Sequence, residues 1–179
     1  MHNTDAAITS QLREKLQNPM GRHLYGVLGT YQRLRQFEER DLANARDPAG
    51  LPYRPPVNLN RALLERIGDE DLSRMIAQEA RRPQATVRRL GQELQRFLDE
   101  ALGDGGLLIL KQLEILFAYA LDLSVFRIHA TDRRQILLLL PGTRVGGRII
   151  LFHEAEERFQ RTLPEGLIVE NHLWELSDG

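Results

Sequence analysis

Nucleoside triphosphate hydrolysis asks a chain for glycines that bring backbone N–H groups to phosphate, a lysine for the outer phosphates, and a Ser or Thr for magnesium. It also asks for an acidic residue at the end of an apolar strand. Two segments approach that spacing. In Gly26-Val27-Leu28-Gly29-Thr30-Tyr31-Gln32-Arg33 the nucleotide-binding candidates are Gly26, Gly29, Thr30 and Arg33, but no Gly-Lys-Ser/Thr is present, and an ordinary strand-to-helix turn explains the same residues. In Gly105–Phe117, GGLLILKQLEILF, the strand end carries Lys111 where an acidic metal holder belongs. A cation there repels a metal. Glu114, three residues on, is the catalytic candidate as a general base, with a local ion pair to Lys111 as the plainer account.

Further candidates are weaker. Thr143 and Arg144, with Arg148 in PGTRVGGR, form a basic, glycine-rich loop suited to an anion, or equally a hairpin with flexible glycines. Arg81, Arg82, Arg88 and Arg89 are the densest basic cluster and the nucleic-acid candidates, although acidic neighbours and the lack of interleaved aromatics fit a solvated helix face. His153 lies among Glu154, Glu156 and Glu157, but not at the spacing of a zinc-protease helix, and no metal site is expected. The serines stand in no nucleophile-elbow context. Asp132-Arg133-Arg134 precedes a strand, the wrong edge for chemistry in a parallel sheet.

The elements that must position these residues follow from apolar patterning. Runs at Gly106–Leu110 and Ile136–Leu140 read as buried parallel strands joined by a helical crossover, the second closed by a Pro141-Gly142-Thr143 turn. His23–Leu28 reads as a strand and Tyr31–Ala45 as a helix. Residues 47–56 form a proline-rich loop, and Asn60 is the expected cap of a helix starting at Arg61. From Arg61 to Leu102 the pattern is helical, broken at Gly68-Asp69 and Arg82-Pro83. Val87, Leu90, Leu94, Phe97, Leu98 and Ala101 line one face of its last helix. Arg148–Phe152 is a further strand. The expected fold class is α/β, three layers with a mostly parallel central sheet resembling a P-loop NTPase and a helix-rich insertion. It forms one domain over residues 1–179, with an N-terminal helix in 1–20, a helical segment over 61–102 and the second half of the sheet over 106–176.

The chain's 179 residues suffice for one core, and none of them is cysteine, which excludes disulfides, thiolate zinc sites and cysteine nucleophiles. With 24 basic and 25 acidic residues no global field draws the chain to nucleic acid or membrane. Among the basic residues only Lys15 and Lys111 are lysine, so a phosphate-loop lysine has no suitable occupant. The start lacks a signal-peptide pattern and no apolar run reaches the roughly 18 residues of a membrane span, so a cytoplasmic protein is expected. The apolar segment Ile115–Leu121 points to a partner-covered surface or a core helix, and to a homo-oligomer in the first case.

From Pro56 onward, PVNLNRALLERI, the Arg-rich helices, GGLLILKQLEILF, DRRQILLLLPG and GGRIILF resemble the small P-loop ATPase-like BrxF family of BREX phage-defence systems. Leu113-Glu114-Ile115-Leu116-Phe117 is the most specific piece. The resemblance implies a Gly-Lys-Ser/Thr loop and an acidic strand end, where this chain has Gly29-Thr30-Tyr31-Gln32 and Lys111. It therefore implies a bacterial antiphage subunit with degenerate nucleotide motifs, acting through assembly with other defence proteins. The alternatives are an active ATPase with an atypical loop, taking ATP and magnesium, and a DNA-binding accessory module using the Arg81–Arg89 cluster.

Overall fold

The computed structural model describes residues 5–177. Helix α1 (Asp5–Leu16) precedes β1 (Leu24–Gly29), and α2 (Tyr31–Gln36) follows directly. Next come β2 (Val57–Asn58), α3 (Leu59–Ile67), α4 (Asp69–Glu79), α5 (Pro83–Leu102) and β3 (Gly106–Lys111). Helices α6 (Glu114–Ala118) and α7 (Ser124–His129) lead to β4 (Arg134–Val145), β5 (Arg148–Leu151), β6 (Arg161–Thr162) and β7 (Leu173–Glu175). Residues 1–4 of the expected N-terminal helix lie outside the described residues. No helix among those described is long and apolar enough to cross a membrane.

The central sheet has the order β2-β3-β4-β1-β7 with every one of these pairings parallel, while β5 and β6 add antiparallel to the far end of β4. Successive side chains of a strand point to opposite faces, so each strand feeds two cores. Leu24, Leu28, Leu108, Leu110, Ile136, Leu138 and Leu140 pack on one side with Leu63, Leu94, Leu98 and Phe126 from the later helices. Tyr25, Val27, Ile109, Leu137, Leu139 and Trp174 pack on the other with Ile8, Leu12 and Phe37. The result is an α/β sandwich with helices on both sides of a mostly parallel sheet, compatible with a P-loop-like fold. Strand order departs from chain order beside β1, and in such sheets the crevice for ligands opens at the carboxyl ends of the strands there.

Several local expectations need correction. The Pro141-Gly142-Thr143 turn does not form: β4 runs on to Val145. Its parallel partner stops at the Gly29–Pro141 register, and an antiparallel ladder with β5 takes over from the Gly142–Leu151 pair. Proline, which cannot donate, sits at that handover, and its carbonyl accepts the Phe152 N–H at 2.6 Å. The cap of α3 is Asn58, not Asn60; its Oδ1 accepts the Arg61 N–H at 3.0 Å and the helix starts at Leu59. Helix α2 changes after Gln36 into a widened π turn, Phe37–Leu42, in which the Ala43 N–H reaches the Glu38 carbonyl at 3.1 Å. That turn keeps both Phe37 and Leu42 in the core.

One polar cluster sits inside this packing, where β7 lies on β1. His23 Nδ1 is 2.7 Å from the Tyr25 hydroxyl, and the rings of Tyr25 and His172 are 4.6 Å apart. Burial lowers the pKa of both histidines, with the Lys15 charge adding to the effect at His172, and burial pushes the Tyr25 phenol up to about 12. The folded state thus binds fewer protons than the unfolded chain once the pH falls below the ordinary histidine value of 6.5. Stability from this cluster is complete above that pH and declines below it. The urea midpoint is expected to drop between about pH 7.5 and pH 5.5, with a shallower drop in a His23→Gln, His172→Gln double variant. Equal pH slopes for the two proteins would contradict this account.

Candidate functional site

The carboxyl edge of the sheet begins at the end of β1. Thr30, in extended conformation, caps α2 by accepting the Arg33 N–H on Oγ1 at 3.2 Å. The chain enters the helix with no intervening loop, so no phosphate cradle forms. The next free N–H, that of Tyr31, donates to Glu154 Oε2 at 2.8 Å. A carboxylate carried in from the turn after β5 thus occupies the positive end of α2, where an anion is stabilised by unpaired N–H groups.

Tyr31 ties a second carboxylate to the same point. Its hydroxyl donates to Glu114 Oε1 at 2.9 Å, and Glu114 Oε2 accepts from Asn60 Nδ2 at 2.7 Å. Asn60 Oδ1 then accepts the Ile115 N–H at 3.0 Å, which fixes the start of α6 against α3. Burial raises the Tyr31 phenol pKa, and the hydrogen bond to Glu114 and the charges of Glu114 and Glu154 raise it further. The phenol is therefore a firmly held proton donor. Each Glu114 oxygen thus accepts one side-chain hydrogen bond, which holds the carboxylate between Tyr31 and Asn60.

Lys111 is engaged as well. It pairs with Glu38 of the widened turn, Nζ to Oε1 at 2.6 Å, and not with Glu114. Gln112, just past the strand, takes a left-handed conformation with φ 53°, and its side-chain oxygen accepts from Asn58 Nδ2. Phe152, two residues before Glu154, has φ 58°, uncommon for a bulky side chain. Both irregular residues flank the edge where the carboxylates meet. The hollow beside Lys111, Glu38, Tyr31 and Pro141 measures about 220 Å³, below the roughly 300 Å³ at which small-molecule pockets begin.

The other sequence candidates lie elsewhere. Gly26 is inside β1, and a Cβ there would stand 2.7 Å from Leu173 Cδ1 and 2.8 Å from Ile168 Cδ1, so its role is close packing. Gly29 is packed against Leu176. Arg33 turns away from the crevice to Asp5, at 2.9 Å, and to the Ser177 carbonyl, also at 2.9 Å. It fastens α1 and the segment after β7 to α2. Thr143 donates to Glu175 at 2.9 Å and Arg144 pairs with Glu170 at 2.8 Å, joining β4 to the β7 side. PGTRVGGR is the β4–β5 hairpin.

Of the arginine cluster, Arg89 pairs with Asp71 and Glu93, while Arg81, Arg82 and Arg88 are exposed with no ion pair among the described residues. No group of three or more His, Cys, Asp or Glu among those residues is placed to hold a metal ion. Sequence reading missed Tyr31, Glu38, Asn60 and Glu154 as members of the edge. Nothing local marks them, since Tyr31 and Glu154 are 123 residues apart along the chain.

The fold and this edge define a mostly parallel α/β domain whose usual ligand crevice is closed by its own side chains. Comparison with protein-family models, curated proteins and solved structures returns no match. Glu154→Ala is expected to free the Tyr31 N–H, cost about 1 kcal/mol or less in urea unfolding, and raise hydrogen exchange at Tyr31 and through residues 151–155. Unchanged exchange at Tyr31 would show that Glu154 does not cap the helix in solution.

Proposed function

We propose that this protein is a non-hydrolysing, P-loop-like subunit whose fold serves assembly with other proteins, in an antiphage complex of the BREX type. What carries the non-hydrolysing part is the Glu154 carboxylate on the Tyr31 N–H, in the position a phosphate would take. Lys111 supports the same reading, because its ammonium, paired with Glu38, stands where magnesium would need an anion. The strand order supports a P-loop-like ancestry. The defence setting and a cytoplasmic location rest on the resemblance of GGLLILKQLEILF and its flanking segments to the BrxF family.

An active ATPase using Arg33 or Arg144 for phosphate would first have to break their pairs with Asp5 and Glu170. Isothermal titration with ATP and magnesium is expected to give no heat of binding at millimolar nucleotide, and a phosphate-release assay no turnover. Micromolar affinity together with turnover abolished by Glu114→Gln would overturn the proposal. Co-purification of the tagged chain with the products of adjacent methyltransferase, phosphatase-like and large ATPase genes tests the defence setting. Absence of such genes beside its own would count against it.

A further inference from the structure

Helix α4 is the anomaly of the helical layer. None of its 11 residues is fully buried: on its apolar stripe Leu72 and Met75 pack half-buried against the main core, and Ile76 beside them is left exposed. Most helical stability in a protein comes from tertiary packing of such a stripe, and here the stripe is covered only in part. In α5, by contrast, Leu90, Leu94, Leu98 and Leu102 are all buried. The open side of α4 faces a groove of about 410 Å³ closed by Leu64 of α3 and by Ile115 and Tyr119 at α6. Ile76 is 64% exposed on its rim and Leu64 37%.

The charged side chains lining this groove have one sign. Its only ionisable side chains besides the Tyr119 phenol are Glu79 and Glu114; no Lys or Arg lines it. Neither carboxylate has an ion-pair partner within 4 Å among the described residues, though the structure pairs arginines with acids freely elsewhere, as at Arg66–Glu100 and Arg74–Glu70. An occupant that matches must bring apolar side chains for the floor and cations for the two ends. The walls are helices α3, α4, α5 and α6, whose backbone groups are engaged within the helices. An extended chain would find no strand edge to join, which leaves side-chain anchoring by a helix laid in the groove.

We propose that the groove between α4 and α6 docks an amphipathic helix of a partner protein, with Leu- or Ile-type anchors facing Leu72, Met75 and Ile76 and Lys or Arg facing Glu79 and Glu114. The proposal deepens the assembly reading above and rests on it. It also explains why Glu114 is left without a cation of its own, since a partner's cation there completes the charge balance of the Tyr31–Glu114–Asn60 network. Docking would thereby couple the groove to the closed carboxyl edge.

The test uses the full chain and labelled helix-forming peptides of about four turns. One carries leucines at i, i+3, i+4 and i+7 flanked by lysines and arginines, a second the same leucines flanked by glutamates, and a third glutamines in place of the leucines. The basic apolar peptide is expected to bind with micromolar Kd by fluorescence polarisation, and the other two at least tenfold more weakly. Ile76→Asp and Glu79→Arg, both on exposed or rim positions, should each weaken binding at least tenfold with unchanged circular dichroism. No binding of the basic apolar peptide up to about 1 mM, or equal binding by the Ile76→Asp variant, overturns the proposal. So does self-association in sedimentation that Ile76→Asp abolishes, since the occupant is then a second copy of this chain. ATP binding by the unmodified chain would overturn the non-hydrolysing reading alone, because the peptide measurements do not depend on the nucleotide.

Discussion

Strand β4 is buried on both faces from Gln135 to Gly142, and a strand in that position dictates most of what surrounds it. Its backbone N–H and C=O groups need partners, and it pairs in parallel with β3 as far as Leu138 and with β1 as far as Pro141, then antiparallel with β5 from Gly142. Its two rows of leucines then require a helical layer on each side, and the chain provides α1 and α2 on one and α3 to α7 on the other. Space is tight enough that Gly26, beside Leu138 in β1, has no room for a methyl group without displacing Leu173 and Ile168. Edge strand β7 is pinned to β1 in the same compact region by the Tyr25, His172 and Trp174 rings.

A parallel sheet leaves the strand ends and helix starts of one edge facing each other, with unpaired donors and charges to satisfy. Here that edge is closed from within. Glu154 meets the start of α2, Tyr31 bridges to Glu114, Asn60 completes Glu114, and Glu38 neutralises Lys111. Left-handed Gln112 and Phe152 stand at the points where β3 and β5 hand over to this network. Such backbone persists where surrounding contacts hold it, and the hydrogen bonds of Gln112 and the edge-on packing of Phe152 against Phe117, 5.4 Å between ring centres, do so.

The helical layer on the α5 side separates scaffold from surface. Glu93, with a side chain only 5% exposed, is surrounded by Arg66, Arg89 and Arg96 at 3.2 to 3.4 Å, so a buried charge is matched from two helices. That network locks α3 to α5. Helix α4 lies outside it except through Asp71, which reaches Arg89 at 3.7 Å, and its apolar side is covered only in part, with Ile76 exposed. The α5 stripe is covered along its length and the α4 stripe only in part.

Apolar runs and their breaks are properties of neighbouring residues, and they were legible. The strands at Leu24, Gly106 and Ile136, the helical stretch to Leu102, the proline-rich loop and the lack of a Gly-Lys-Ser/Thr motif can all be read along the chain. Even Lys111 at a strand end was visible, because strand, end and charge are adjacent in sequence. Its partner was not: Glu38 lies 73 residues away and reaches it only through a widened helical turn. The continuation of β4 through Pro141 was hidden for a similar reason, since proline stops a ladder only when a donor is needed there, and that depends on where β1 ends. The sequence by itself determined the layers and the absence of a phosphate loop, because local pattern and composition are enough for both. Only tertiary structure decided that the carboxyl edge is filled by Glu154 and Tyr31 and that Ile76 of α4 is left exposed, because both depend on which distant surfaces the sheet brings together.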